Sequence, residues 1–355
     1  MASLLIKAFE ALTSIIGESS LNHILRTVRP IGGCTNALLR ASSAMLDNQS
    51  IHFLPAATAS IQDADALALL RQLRRSVVQV MLPQKHVSIA TAYIHQSALT
   101  SFTKSSNAPI VLLHGFDSSL LEFRRLLPCF IADRDVWAID LLGFGFTEYN
   151  SDLSINPFTI RQHLHAVWQR INQPIVLVGA SMGGAVAIDF ALKYPNCVQS
   201  LVLIDSVGLS GNFPIGPFLS APVLGWSVEW LAFRKQMALQ LAQVFPWTDS
   251  GLVDAIRCSL VHQQMPTWRQ AIASFTRSGG YAFSPEDLTT IQPPTLILWG
   301  ESDDMLGTDD ADRFHRAIPR SELHWITAGH VPHFEQPQSV ADRIQQFLIT
   351  RSQHV

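Results

Sequence analysis

Short apolar runs alternate with helix-like segments along most of this chain, and the pattern changes character twice. From Val87 onward, Pro109-Ile110-Val111-Leu112-Leu113, Asp135-Val136-Trp137-Ala138-Ile139-Asp140, Pro174-Ile175-Val176-Leu177-Val178, Leu201-Val202-Leu203-Ile204, Pro294-Thr295-Leu296-Ile297-Leu298-Trp299-Gly300 and Glu322-Leu323-His324-Trp325-Ile326 read as strands. Strands and helices in alternation predict an α/β protein whose mostly parallel sheet is covered by helices on both faces. Between about Asp205 and Gln292 the alternation breaks. An aromatic-rich segment intervenes, with Phe213, Phe218, Trp226, Trp230, Phe233, Phe245, Trp247, Trp268 and Phe275, and with helical stretches near residues 228–244 and 252–262. It reads as a helical cap inserted before the strand that starts at Pro294.

The pattern also differs at the start. In residues 1–17, Leu4, Leu5, Ala8, Phe9, Leu12, Ile15 and Ile16 recur at helical spacing, with Lys7, Glu10, Thr13 and Ser14 on the other side. Glu10 interrupts any signal-peptide core, and a membrane span needs about 20 apolar residues, so both are rejected. The stripe is read as packing on the rest of the protein; weak membrane-surface contact is the alternative. A second helical pattern covers residues 63–81 around Leu67, Leu69, Leu70, Leu73 and Val77. The predicted division is a helical N-terminal extension over 1–85, a first core part over 86–205, the cap over 206–290 and a second core part over 291–355.

Composition narrows the class. The 355 residues are 48% hydrophobic and 15% charged, enough apolar material for a large core and too little charge for disorder. A formal net charge of −3 and the absence of a basic run with interleaved aromatics speak against a nucleic-acid partner. Cys34, Cys129, Cys197 and Cys258 are scattered singly, which fits a reducing, cytoplasmic setting with neither a zinc site nor a disulfide framework. His23 and His52 have no neighbour at ligand spacing.

Candidate chemistry begins at Gly179-Ala180-Ser181-Met182-Gly183, which follows an apolar strand and precedes a helix-like segment. Such a turn is so sharp that its serine adopts strained backbone and needs tiny neighbours, while the next N–H faces the place where negative charge develops. Upstream, a strand runs into His114-Gly115-Phe116-Asp117-Ser118-Ser119, an oxyanion loop whose Phe116 N–H pairs in purpose with that of Met182. Downstream, Glu301-Ser302-Asp303-Asp304 follows one strand and offers an acid. Ala328-Gly329-His330-Val331-Pro332-His333-Phe334-Glu335 follows the last strand, offers a base, and leads into a helix ending near Thr350.

With these four motifs in this order the chain resembles the α/β-hydrolase superfamily, over roughly residues 85–350, in its serine-nucleophile branch with a cap (esterase-, lipase- and perhydrolase-like). The wording around Val111 to Ser119 and Leu141 to Phe146 also looks like hydrolases of cyanobacteria and plastids, some of which act on phytyl or other lipid esters. The resemblance implies Ser181 as nucleophile, Asp303 as acid and His330 as base, Phe116 and Met182 as oxyanion-hole donors, and no metal or organic cofactor. It implies that His114 braces its loop and that Asp140 orders a neighbouring loop. Asp205 is the rival acid, since some lipases carry theirs after that strand, and His333, read as the start of the last helix, is the rival base.

The expected function is hydrolysis of a carboxylic ester of a lipophilic small molecule through an acyl-enzyme. The same triad also serves carbon–carbon bond hydrolases, perhydrolases, acyltransferases and ligand-sensing proteins of slow turnover, so fold alone does not decide.

Overall fold

The alternating pattern folds into one eight-stranded sheet in the computed structural model, which describes residues 53–99, 107–149, 152–209, 221–244 and 250–352. Its strands are β1 (Arg74–Met81), β2 (His86–Gln96), β3 (Ile110–Leu113), β4 (Val136–Ile139), β5 (Ile175–Ala180), β6 (Val198–Ile204), β7 (Thr295–Gly300) and β8 (Ser321–Ile326). They lie side by side as β1-β2-β4-β3-β5-β6-β7-β8. β2 pairs antiparallel with β1 and β4, and every later pairing is parallel.

Every residue of β3, β5 and β7 is buried. Side chains alternate between two cores, because successive residues of a strand point to opposite faces. Val111, Leu113, Leu177, Leu203 and Ile297 pack on one face with Ile160, Leu164 and Val167 of α2 (Pro157–Ile171) and Val186 and Ile188 of α3 (Met182–Lys193). Leu112, Val176, Val178, Val202 and Leu298 pack on the other, with Leu69 and Leu70 of α1 (Ala64–Leu70) and Ile344 and Phe347 of α10 (Pro337–Ser352). α2 is well delimited: Asn156 caps it through a reciprocal box with Thr159, and Asn172 ends it at φ 52°.

Between β6 and β7 lie α4 (Ala221–Val244), α5 (Ser250–Leu260), α6 (Trp268–Arg277) and the short α7 (Pro285–Leu288). α8 (Asp309–Ala317) precedes β8, and α9 (Pro332–Glu335) precedes α10. Among the described residues no helix is long and apolar enough to cross a membrane. The stripe of residues 1–17, His23, Cys34, His52, Phe213, Phe218, Phe245 and Trp247 lie outside the described residues.

Two expectations are corrected. The helix over 63–81 is short: Asp63 caps α1 by accepting from Ala66 N–H at 2.8 Å, and the chain then turns into β1. Alternation wins there, since Val78 and Val80 are buried while Gln79 and Met81 are exposed. A boundary at 85 therefore cuts a hairpin whose register runs from Arg74 opposite Tyr93 to Met81 opposite His86, and the segment before it is not wholly helical. Nor does His333 start the last helix. It lies in α9, which is separated from α10 at Gln336, because Pro337 forces the residue before it out of helical backbone.

Candidate active site

Ser181 stands between the end of β5 and the start of α3 at φ 51°, ψ −115°. A non-glycine residue rarely adopts such backbone, and the surroundings must hold it there. They do: Ser181 N–H donates to the Ile204 carbonyl at 2.9 Å, and the Ser181 carbonyl accepts from Gly184 at 3.0 Å and Val207 at 3.3 Å. The glycines have steric reasons. A Cβ at Gly179 would collide with the Gly183 carbonyl, and one at Gly183 with the Leu113 carbonyl.

Beyond β7 and β8, Glu301 N–H donates to Ile326 at 2.9 Å and Ser302 N–H to Ala328 at 3.0 Å, which ties the two following loops together. Asp303 and His330 meet across them. Asp303 Oδ1 accepts from the N–H groups of Met305 and Leu306, both at 2.9 Å. Its Oδ2 lies 2.9 Å from His330 Nδ1, and His330 Nε2 lies 3.2 Å from Ser181 Oγ. Since the carboxylate only accepts, Nδ1 carries the proton and Nε2 turns its lone pair to the serine. Burial raises the Asp303 pKa, but the hydrogen bond and charge of His330 and the two backbone donors offset this, and it lies below its ordinary value.

The rivals hold further partners of their own, although Asp205 lies directly against Asp303. Asp205 is fully buried at φ 41°, and its Oδ1 accepts from Gly300 N–H at 2.8 Å. Burial first, and then the negative charge of Asp303, lift its carboxyl well above the usual range. His333 is buried and its Nε2 lies 2.8 Å from Glu122 Oε1. Asp205, Asp303 and His330 form a group that a metal ion would find within reach, but Asp303 and His330 are already spent on each other.

The loop after β3, expected to carry an oxyanion donor, is held by side chains. His114 is completely buried, its Nε2 accepts from Leu141 N–H at 3.1 Å, and its Nδ1–H therefore donates to the Gly115 carbonyl at 2.7 Å. Burial drops its pKa to about 4, which keeps the ring neutral. The peptide linking Gly115 to Phe116 is planar and trans, so a fixed Gly115 C=O also fixes the direction of Phe116 N–H. Met182 N–H opens α3, where the helix supplies it no partner. Asp140 accepts from Leu120 at 2.6 Å and Phe146 at 2.7 Å, ordering two loops as expected of it.

Sequence reasoning missed Glu122. Its Oε2 accepts from Gly115 N–H at 3.2 Å, so it joins the loop after β3 to His333. Burial raises its pKa, but the hydrogen bond and charge of His333 outweigh that and bring it down to about 2. No linear motif announces such a residue. The aromatic insertion divides in two: Phe275 is buried and packs 5.8 Å from Phe116 and 5.6 Å from Phe144, whereas Trp230 and Phe233 are 59% and 53% exposed.

Known proteins resemble this chain in sequence and in fold. The sequence model of the alpha/beta hydrolase family matches residues 110–343. The chain is 32% identical over 302 residues to the alpha/beta hydrolase domain-containing protein VTE7 of Arabidopsis thaliana, covering 83% of this chain and 89% of that one. It is 27% identical over 250 residues to the sn-1-specific diacylglycerol lipase ABHD11 of Mus musculus, covering 67% and 80%. A crystal structure of a membrane phospholipase A, a bacterial virulence factor, shares the fold with a TM-score of 0.62 at 24% identity, covering 83% of this chain and 90% of its own.

Proposed function

Because this chain belongs to the alpha/beta hydrolase family, we propose that it is a serine hydrolase that cleaves a carboxylic ester of a lipophilic small molecule through an acyl-enzyme. The observation that carries this reading is the unbroken hydrogen-bonded chain from Asp303 through His330 to a serine on strained backbone. Ser181 Oγ attacks the ester carbonyl carbon while His330 Nε2 takes its proton, and Asp303 keeps the other nitrogen protonated and stabilises the imidazolium. The carbonyl oxygen becomes an oxyanion against the N–H groups of Phe116 and Met182. Each such donor is worth about 3 kcal/mol in the transition state. His330 then gives its proton to the departing alkoxide, and a water deprotonated by His330 releases the acid.

The helices between β6 and β7 serve as a cap over the serine, and their aromatic content favours an apolar substrate. Phe275 against Phe116 supports this, as does a relative named as a diacylglycerol lipase. Each buried methylene contributes about 0.8 kcal/mol, so kcat/KM should rise about fourfold per methylene along a p-nitrophenyl ester series until the pocket fills.

The test is labelling with a fluorophosphonate, peptide mapping, and the same ester series on wild type and Ser181→Ala. Label on Ser181, lost with turnover in the variant, supports the reading; label elsewhere with full activity in Ser181→Ala refutes it. Label on Ser181 without ester turnover redirects the assignment to carbon–carbon hydrolysis or ligand sensing. Best turnover of acetyl or charged esters removes the lipophilic claim.

A further inference from the structure

Asp117 follows Phe116 directly and takes no step in the chemistry above, yet it is 3% exposed and sits at φ 50°, backbone uncommon outside glycine, though aspartate tolerates it better than most residues. Its side chain is gripped from several directions. Oδ1 accepts from His262 Nε2 at 3.0 Å and Trp268 Nε1 at 2.8 Å. Oδ2 accepts from Gln263 Nε2 at 2.9 Å and lies 2.7 Å from Lys235 Nζ. Lys235 also donates to the Asp117 backbone carbonyl at 2.8 Å and to that of Ser259 at 3.3 Å.

Every one of these donors comes from the insertion between β6 and β7. Lys235 lies on α4, His262 and Gln263 in the turn after α5, and Trp268 at the start of α6. Burial would raise the Asp117 carboxyl, but the Lys235 charge and the His262 hydrogen bond outweigh it and hold it far below the ordinary range. Burial lowers the pKa of His262, which leaves a neutral ring with one N–H to offer. The charges of Arg234 and the ring of His114 also act on this point.

We propose that Asp117 is a positioning residue through which the helical insertion sets the oxyanion hole. On one side of Phe116, His114 fixes the Gly115 carbonyl and so the plane that contains Phe116 N–H. On the other side, Lys235 fixes the Asp117 carbonyl and four donors fix its carboxylate. An apolar contact would suffice to dock a helix on the core. A carboxylate with both oxygens doubly occupied fixes direction as well, and direction is what an oxyanion donor needs. A substrate that shifts the insertion thereby shifts the hole, so the insertion discriminates in kcat as well as in KM.

This inference rests on the serine-hydrolase reading, and the experiment separates the two. Wild type, Asp117→Asn, Lys235→Met and Trp268→Phe are compared for fluorophosphonate labelling of Ser181, kcat, KM, and affinity for a trifluoromethyl ketone, which forms a tetrahedral oxyanion on the serine. The amide of Asp117→Asn cannot accept on both sides, and kcat should fall about 100-fold, the loss typical of a missing donor. Trp268→Phe keeps its ring and loses one N–H; Lys235→Met keeps most of its stem and loses the charge. Both should lose about tenfold in kcat with KM within about twofold, and ketone affinity should fall in parallel with kcat.

A purely structural clamp would lower Tm and leave kcat per folded molecule unchanged. Folded Lys235→Met and Trp268→Phe with wild-type kcat and ketone affinity overturn the proposal, whether or not Asp117→Asn folds. A wild type that takes no label at Ser181 overturns the serine-hydrolase reading, and this one with it.

Discussion

Replacing Asp303 by asparagine tests the proposed site most sharply, because the structure dictates how the new side chain must sit. Oδ1 of Asp303 is held by two backbone N–H groups, those of Met305 and Leu306, both at 2.9 Å. An amide there keeps its oxygen on those donors, since a flip would place NH₂ against two N–H groups and forfeit two hydrogen bonds of about 1 kcal/mol each. The NH₂ therefore faces His330 Nδ1, where the carboxylate now accepts at 2.9 Å. The imidazole must then accept at Nδ1 and carry its proton on Nε2, pointing at Ser181 Oγ 3.2 Å away. In that tautomer it cannot take the serine proton. The expected loss in acylation rate is about 10⁴-fold, or about 5 kcal/mol, in an otherwise native fold.

The assay is single-turnover release of p-nitrophenol from a medium-chain ester, with circular dichroism to verify folding. Asp205→Asn is the control. Burial already lifts the Asp205 carboxyl well above the usual range, and an amide oxygen in its place can still accept from Gly300, so the variant should lose less than about tenfold. A folded Asp303→Asn within tenfold of wild type, or a larger loss at Asp205, would refute the tautomer argument.

Glu122→Gln should flatten the acid limb of stability. A carboxyl brought from 4.5 to about 2 contributes about 3 kcal/mol that is present above pH 4.5 and lost as pH falls towards 2, so the Tm gap between wild type and variant should close between pH 5 and 2. A gap that does not change with pH would contradict the pairing with His333. Gly183→Ala places a Cβ against the Leu113 carbonyl and should cost about 1–3 kcal/mol in urea unfolding; an unchanged midpoint would mean the elbow is looser than described. Phe275→Ala empties a fully buried site beside Phe116 and should cost about 3–5 kcal/mol and shrink the kcat/KM advantage of long over acetyl esters; retention of the full advantage would show that the ring is packing alone.

The inner strands β3, β5 and β7 were legible because parallel strands buried on both faces are continuous apolar runs. β1 was not, since its valines follow the leucines of α1 closely enough to prolong a helical pattern. The break before Pro337 carried its own signal in the proline. Ser181, Asp303 and His330 each belong to a local motif beside a strand end, so each could be named from the chain. Glu122 and Asp117 take their meaning from partners that only folding brings near, as with Asp117 and Trp268, which are 151 residues apart. A carboxylate in a loop looks solvated until the fold shows what surrounds it.

The place of His330 in the chain also fixes when the proposed chemistry would become available. Ser181 precedes it by 149 residues, and the base arrives just after β8, the strand at the edge of the sheet. During synthesis from the N-terminus, β5 and its turn can form while β7 and β8 are still to be made. A serine without its base is an ordinary alcohol, too weak to attack an ester. On the proposed reading the growing chain thus carries an unarmed nucleophile, and it acquires its reactivity in the same event that completes its sheet.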